Sequence, residues 1–289
     1  MAHRVTAPAM QRAQRLLNDR VSPHVLGDGL NFEVAATAEF FESPGYDVAT
    51  ASQLEHFTLG TKWGRAWHTR WFRLTATVPS HLEGQQLVAH IDLGFIGRGD
   101  GFEVEALAYR NGRILHAIQP DRRTIHLGVG TAGEFIELWI EAAATPIIAG
   151  HQSGYGPTPF GDPSTAPTTP IYTLRTARLC VFHAEINEFS IALHTCINLC
   201  IDLEERSPQR ARLFAALERC DQAFDSNNLA ESLPKARAEL DTVLSVGNGP
   251  SAHRIVATGH AHLDTAWLWP IRETRRKAVR TFANAVSLL

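Results

Sequence analysis

Short apolar segments separated by turn residues fill residues 57–148, and this alternation limits the fold more than any other feature of the chain. Each segment has strand length and is rich in β-branched and aromatic residues. The segments are 71–78, 87–93, 102–109, 114–118 and 135–141. Between two of them, Asn111 and Gly112 favour the left-handed backbone of a tight hairpin. The pattern predicts an antiparallel β-sandwich over residues 51–150.

The pattern changes on both sides of this segment. Residues 151–170 are rich in Pro, Gly, Ser and Thr, which predicts a connector. Residues 171–249 carry apolar residues at helical spacing and predict a helical region with helices over 181–203, 208–224 and 232–246. Residues 1–50 form a poorly defined lead, in which residues 9–21 predict a surface helix. An arginine-rich transit peptide is the alternative for that helix.

The C-terminal residues predict a strand, a loop and a helix in that order. The β-branched run 254–258 is followed by the polar loop 259–264, and residues 271–289 have helical spacing. This order is typical of the start of a parallel α/β sheet, in which one strand needs neighbouring strands. We therefore expect a multidomain chain in which residues 250–289 begin an incomplete, barrel-like α/β domain.

Charge and cysteine content exclude several classes of function. The chain has 27 Lys and Arg against 30 Asp and Glu, a net charge of -3, so it lacks the cationic surplus that nucleic acid or an anionic membrane attracts. It contains neither a run of about 18 apolar residues nor a signal-peptide core. The four cysteines fall in apolar stretches, which indicates buried thiols in a reducing compartment and predicts a cytoplasmic protein.

His260, His262 and Asp264 alternate directly after the predicted strand. Side chains two residues apart in extended backbone point the same way, so His262 and Asp264 can converge on one ion. Imidazole and carboxylate suit Zn²⁺ or a similar divalent ion. Two interpretations stay open, a metal pair or polar residues that cap the next helix. A metal site needs about four ligands, or three and an open position, so this pair is at most half a site.

Tryptophans in the predicted sandwich have two interpretations. Trp63, Trp67 and Trp71 line either the core or a sugar-binding cleft. The core is favoured because Trp67 and Trp71 are four residues apart and fall on one face of a strand.

Two further clusters also have a structural interpretation. His194, Cys196 and Cys200 suggest a metal cluster, but on a helix His194 and Cys196 diverge by about 200°, which favours burial of the cysteines. Residues 272–277 are predicted to form a solvated charged face, with subunit or substrate contact as the alternative.

The run GHAHLDTAWLWPIRETRRKAVRTFANAVSLL at 259–289 resembles the opening of the catalytic domain of glycoside hydrolase family 38, the α-mannosidases. The preceding β-sandwich region of the cytosolic-type, large bacterial and fungal branch is similar to TKWGRAWHTRWFRLTATVP at 61–79, IDLGFIGRGDGFEVEAL at 91–107 and ELWIEAAATP at 137–146. The resemblance covers most of the chain beyond residue 50. It implies retaining, metal-dependent hydrolysis of terminal α-mannosides in oligosaccharide catabolism.

The resemblance also implies roles for particular residues. The family's metal pair falls on His262 and Asp264, and the tryptophan that stacks on the mannose ring falls on Trp267. The implied ion is Zn²⁺ or Co²⁺, and Asp264 is also implied in substrate binding. For His260, an outer-shell role and simple loop packing both stay open. The family places its nucleophile and acid/base beyond residue 289, so none is assigned here.

The chain is accordingly predicted to be the N-terminal portion of an α-mannosidase, acting on α-mannoside oligosaccharides and inactive as an isolated 289-residue chain. A homo-oligomer fits the family. The alternative is a non-catalytic carbohydrate-binding or assembly module built on the sandwich. Phe282, Val286 and Leu289 discriminate between the two, because a helix that begins a larger domain would leave these apolar side chains exposed.

Overall fold

The computed structural model describes residues 6–97, 101–146, 168–247, 254–267 and 269–289. Most of the predicted connector, 151–167, lies outside these residues. The described helices are α1 (Thr6–Arg15), α2 (Tyr46–Thr50), α3 (Ala184–Asp202), α4 (Pro208–Ala223), α5 (Leu229–Leu244) and α6 (Ile271–Leu288). The described strands are β1 (Leu26–Asn31), β2 (Glu33–Ala36), β3 (Glu55–His56), β4 (Lys62–Trp63), β5 (Thr69–Thr77), β6 (Gln86–Asp92), β7 (Glu105–Arg110), β8 (Arg113–Ile118), β9 (Thr124–Val129), β10 (Phe135–Ala143), β11 (Tyr172–Thr173) and β12 (Thr176–Phe182).

The chain forms two compact units, and each consists of two separate segments of sequence. The helical unit comprises Met1–Gly27 and Phe182–Thr258. The sandwich unit comprises Asp28–Val181 and Gly259–Leu289, so α6 belongs with the sheets.

Two antiparallel sheets make up most of the sandwich unit. One has the strand order β3-β2-β5-β10-β7-β8 and the other β1-β12-β6-β9. In the larger sheet, β10 pairs along its whole length with β5, from Phe135 opposite Thr77 to Ala143 opposite Thr69. The sheets share one core, to which Leu74 and Ile140 contribute from the first sheet and Leu179 from the second. The predicted antiparallel sandwich is confirmed.

The sheets recruit strands from both sides of residues 51–150. β1 and β2 come before this segment and β12 comes after it, while β11, also after it, pairs with β4 in a separate two-stranded sheet. Residues 176–182 were expected to lie in the helical region, but they pair with β6, with Cys180 opposite Val88. A short apolar run such as 179–182 fits a buried strand as well as a buried helix, and pairing with β6 decides between the two.

The hairpin between β7 and β8 follows its sequence signature. Asn111 and Gly112 have φ of 51° and 74°, the left-handed values that a tight primed turn requires. A β-branched residue at either position would be strained.

The helical unit packs α1, α3, α4 and α5 around one core. Ala13, Leu193, Leu217 and Leu240 each contribute from a different helix. The side chain of Ser207 accepts a hydrogen bond from the Arg210 backbone at 3.2 Å, which confirms the predicted start of α4.

The N-terminal helix is bound to the helical unit by ion pairs. Arg12 on α1 pairs with Glu218 at 3.0 Å, and Arg20, in the π-helical turn Leu16–Val21 that continues α1, pairs with Asp221 at 2.6 Å. These contacts favour the surface-helix interpretation of residues 9–21 over the transit peptide. None of the described helices has both the length and the apolarity to cross a bilayer.

All four cysteines are buried free thiols. Burial raises the pKa of Cys196 and Cys200 to about 11 and that of Cys220 to about 12. His194 is exposed while Cys196 and Cys200 are buried, so the alternative of a His194 metal cluster finds no support.

These thiols are expected to resist alkylation in the native protein. At pH 8 a thiol with a pKa of about 11 carries at least about a hundredfold less thiolate than an unfolded one of pKa about 8.5. Iodoacetamide labelling of the peptides that contain Cys196, Cys200 and Cys220, followed by mass spectrometry, should therefore be slow until guanidinium is added. Labelling at equal rates with and without guanidinium would contradict the prediction.

The predicted strand over residues 254–258 does not form. These residues have neither helical nor strand structure, and Ile255 is 85% exposed. Among the described residues no strand pairs with them, so their exposed backbone is left to water and has no neighbouring strand to hold it in a sheet. The helix predicted after them does form, as α6, and Phe282 and Val286 on it are exposed.

Candidate functional site

Helix α6 places a charged face against the sandwich. Glu273, Lys277 and Arg280 are spaced so that they share one side of the helix, and their exposed fractions are only 2%, 3% and 3%. The prediction that residues 272–277 form a solvated face is therefore wrong for Glu273 and Lys277. The reason is a carboxylate on β7, Glu105, which lies opposite this side of the helix.

The buried charges form a connected network. Glu105 Oε2 lies 2.6 Å from Lys277 Nζ and 3.0 Å from Arg280 Nη1. Arg280 Nη1 also lies 2.8 Å from Glu273 Oε1, and Arg276 Nη2 lies 2.5 Å from Glu273 Oε2. Each buried charge therefore has at least one partner of opposite sign, which offsets the cost of removing it from water.

Electrostatics in this network favour the ionised forms. Burial alone would raise the pKa of Glu273, but the charges of Arg280, Arg276 and Lys277 lower it to about 2. Burial would likewise lower the pKa of Arg280, but Glu273 and Glu105 raise it. The helix is thus fixed to the sandwich by groups that stay charged at neutral pH.

The loop before α6 brings His262 and Asp264 together. His262 Nε2 lies 3.1 Å from Asp264 Oδ1, and both side chains reach solvent. Leu263, between them, packs instead against Ala66, Trp67 and Trp269. The two polar side chains therefore face the same way and the apolar one faces the protein, as expected for alternating positions.

Trp267 lies on the same loop between two other aromatic rings. Its ring centroid is 5.9 Å from that of Phe102 and 5.6 Å from that of Trp269, with both contacts edge to face. Trp269 is buried and donates its ring N–H to Thr274 Oγ1 at 3.1 Å. Trp267 remains 47% exposed. Two aromatic rings therefore pack against Trp267, while about half of its surface stays open to solvent.

These groups line one cleft of about 540 Å³. His260, His262, Asp264 and Trp267 come from the loop, and Phe102 comes from the sandwich. His260 is exposed, and this exposure does not distinguish an outer-shell role from simple loop packing. Sequence reasoning missed Phe102 and the wall contributed by α6, including Lys277 and Asn284. The sequence pattern predicts that Phe102 begins a strand, but β7 begins later, at Glu105.

The tryptophans of the sandwich are all buried, which confirms the core interpretation. Trp63 lies in the main core and Trp71 packs with Trp139, whereas Trp67 packs with Trp269. The expectation that Trp67 and Trp71 share one strand face is wrong, because β5 begins at Thr69. Trp67 precedes it with a left-handed φ of 66°, a strained value for a bulky residue.

The donor set at the cleft fits half of a metal site. A neutral imidazole and a carboxylate suit a divalent ion of the zinc type. Within the part of the chain that the structure describes, no group of three or more His, Cys, Asp or Glu side chains is arranged for a metal ion.

Two family profiles match this chain. A profile described as the jelly roll domain of α-mannosidase matches residues 29–180, more than half of the chain. A profile for the N-terminal domain of glycosyl hydrolases family 38 matches residues 252–289, which include the loop and α6. The residues that line the cleft all fall within these two matched segments.

Several curated proteins are similar to the chain. α-Mannosidase 2C1 of Homo sapiens is 28% identical over 270 residues, 90% of this chain and 24% of that protein. α-Mannosidase G of Dictyostelium discoideum is 23% identical over 295 residues, 96% of this chain and 25% of that protein. An α-mannosidase of Saccharomyces cerevisiae is 39% identical over 51 residues, 18% of this chain and 5% of that protein. The chain thus spans about a quarter of the first two relatives.

Proposed function

Since this chain belongs to the α-mannosidase jelly-roll family and carries the N-terminal portion of a family 38 glycoside hydrolase, we propose that it forms part of a metal-dependent, retaining α-mannosidase. The proposed substrates are terminal α-mannosides of oligosaccharides, and the proposed compartment is the cytoplasm, which suits four free buried thiols. A homo-oligomeric assembly is proposed from the family alone.

One observation carries this proposal. The His262–Asp264 pair and the open part of Trp267 line the same cleft. An aromatic ring gives the C–H surface of a sugar a flat apolar partner, while a carboxylate beside it accepts hydrogen bonds from hydroxyl groups. A sugar lying on Trp267 would therefore present its hydroxyls to Asp264.

His262 and Asp264 would hold a divalent ion, Zn²⁺ or Co²⁺, with further ligands from residues that we do not assign. When bound, such an ion polarises oxygen atoms and orients the sugar hydroxyls. The chain's own contribution is to aim the imidazole and the carboxylate at one point, with Leu263 anchored in the cluster of Trp67 and Trp269. We propose that His260 orients one of the ligands from outside.

Retaining hydrolysis needs two carboxylates about 5 to 5.5 Å apart, one as nucleophile and one as acid/base. We assign neither within residues 1–289. The isolated 289-residue chain is accordingly expected to show no turnover of an α-mannoside.

The alternative, a carbohydrate-binding module built on the sandwich, has weaker support. Trp63, Trp67 and Trp71 are buried and provide no sugar platform on the sheets. The exposed tryptophan of the cleft, Trp267, belongs instead to the segment that matches the hydrolase profile.

Hydrolysis of an aryl α-mannoside by the full-length protein tests the proposed function. Activity should disappear with a chelator and return with Zn²⁺ or Co²⁺. A Trp267→Ala variant should raise KM about tenfold with a smaller change in kcat, because loss of a stacking surface costs about 1.4 kcal/mol of sugar binding.

Phe135→Ala is the matched control for Trp267→Ala. Phe135 is a similarly exposed aromatic side chain on β10 and does not line the cleft. Its variant should keep the KM of the wild type. Equal KM values for both variants would contradict a sugar-binding role for Trp267, and activity that is insensitive to chelators would contradict metal dependence.

A further inference from the structure

The side chain of Lys277 connects three parts of the cleft wall. Its Nζ donates to Gly101 O at 2.9 Å and to Glu105 Oε2 at 2.6 Å, and it lies 4.5 Å from the ring centroid of Trp269. Gly101 and Glu105 belong to the sandwich, whereas Trp269 belongs to the loop before α6. The side chain is only 4% exposed, so water does not compete for these contacts.

Both aromatic neighbours of Trp267 are thereby connected to one ammonium group. Gly101 directly precedes Phe102, whose ring packs edge to face with Trp267. Trp269, which lies against Lys277, meets Trp267 from another direction. A cation held against an aromatic ring is a stabilising contact, and more so when both groups are removed from water. Loss of the ammonium would therefore free both supports of Trp267 at once.

The ion pair alone does not explain this arrangement. Glu105 also pairs with Arg280 at 3.0 Å, and Glu273 pairs with Arg280 and Arg276, so Glu105 would keep a cationic partner without Lys277. Beyond the ion pair, Lys277 contributes contacts with Gly101 O and with the Trp269 ring.

We propose that Lys277 is a positioning residue for the sugar-binding face of Trp267. Through its contacts with Gly101 and Glu105, the sandwich helps to form the substrate site. This inference rests on the proposed function and assigns the sandwich a role in substrate binding besides support. Lys277 itself has no contact with the sugar in this scheme. It acts on Trp267 through Trp269 and through the backbone that carries Phe102.

The test uses Lys277→Met in the full-length protein, since methionine preserves much of the volume and removes the charge. Hydroxyl-radical footprinting with mass spectrometry measures the oxidation rate of Trp267 and needs no enzymatic activity. The rate should rise about twofold, because Trp267 is 47% exposed and a freed ring approaches full exposure. The rate for buried Trp63 should stay unchanged.

Kinetics supply the second readout. KM for an aryl α-mannoside should rise about tenfold while kcat changes less, as expected when a binding surface is misplaced and the reacting groups are not. Lys235→Met is the matched control, because Lys235 forms an exposed pair with Glu231 on α5 and should leave both readouts at wild-type values.

Phe102→Leu tests the sandwich side of the arrangement without touching the ion network. It should reproduce the increases in Trp267 oxidation and in KM. If Lys277→Met does not fold, Lys277→Gln replaces it with the same expectations, since it also removes the charge from the Trp269 ring.

The outcomes separate this inference from the proposed function. A wild-type protein without α-mannoside hydrolysis overturns the function, while the footprint still tests whether Lys277 positions Trp267. Wild-type oxidation and KM in the Lys277 variant, with only a lower melting temperature, would show a purely structural lysine and overturn the inference. Wild-type values in Phe102→Leu would overturn the part assigned to the sandwich.

Discussion

An Asp264→Ala variant of the full-length protein is expected to lose the divalent ion proposed for this site and to fall in kcat/KM by about a thousandfold. Asp264 provides the carboxylate of the His262–Asp264 pair, whose polar atoms lie 3.1 Å apart. A catalytic ion contributes several kcal/mol of charge stabilisation, and about 4 kcal/mol corresponds to a factor of a thousand. An alanine leaves His262 without a carboxylate partner, so the ion would have to be held by the remaining ligands alone.

Metal content and activity should be measured on the same preparations of this variant. Elemental analysis should find substoichiometric metal in Asp264→Ala, and added Zn²⁺ or Co²⁺ should restore little activity. His260→Ala serves for comparison, because His260 lies in the same loop and cleft. A loss of about ten- to a hundredfold in that variant supports an orienting role, whereas wild-type activity supports loop packing. Full metal occupancy in Asp264→Ala would rule out Asp264 as a ligand.

Replacing Glu105 by alanine is expected to destabilise the sandwich unit by about 3 to 5 kcal/mol. Glu105 is the sandwich carboxylate to which α6 presents Lys277 and Arg280, at 2.6 Å and 3.0 Å. Without it, Lys277 stays buried with no carboxylate partner among these contacts. A buried, uncompensated charge costs far more than the ion pair contributes when it is intact.

The consequence should be visible in α6 itself. Hydrogen exchange of the amides in residues 271–288 should accelerate in Glu105→Ala, and thermal unfolding should begin at a lower temperature. Glu134→Ala is the control, since Glu134 pairs with Arg110 at 2.8 Å on the partly exposed surface of the same unit. Such a pair contributes about 0 to 1 kcal/mol. Similar losses of stability in the two variants would contradict a special role for the buried network.

The sequence predicted those elements whose signal is local. The strands expected at 71–78, 87–93, 102–109, 114–118 and 135–141 and the hairpin at Asn111 and Gly112 follow from apolar alternation and turn chemistry, whereas β9 was not predicted. Strand β1 was missed because its sequence, LGDGLN, has two glycines and few apolar residues. It forms nonetheless, because β12 provides a neighbour for it. Local propensity carries no information about such a partner, which lies far away in the sequence.

For the candidate site, too, the sequence predicted the features that depend on neighbouring residues and missed those that depend on distant ones. Alternation alone placed His262 and Asp264 on one side of their loop, and the structure brings their polar atoms together. Their roles in metal binding, like that of Trp267 in sugar binding, stay predictions. Burial of Lys277 was missed because nothing within α6 indicates that Glu105, 172 residues earlier, lies opposite. From its own sequence, a charged helical face is predicted to be exposed to solvent, because the sequence does not show which residue lies opposite.

The sequence separation between Glu105 and Lys277 also determines how long after Glu105 its partner is synthesised. During synthesis at about 5 to 20 residues per second, the 172 residues between them take roughly 10 to 30 s to emerge. Throughout that interval the nascent chain carries the carboxylate of Glu105 without its lysine and arginine, while strands β8–β12 and the second segment of the helical unit, Phe182–Thr258, are still being made. Glu105 is therefore synthesised well before Lys277 and Arg280, the cationic residues that pair with it. The sandwich unit is complete only when α6 has been synthesised.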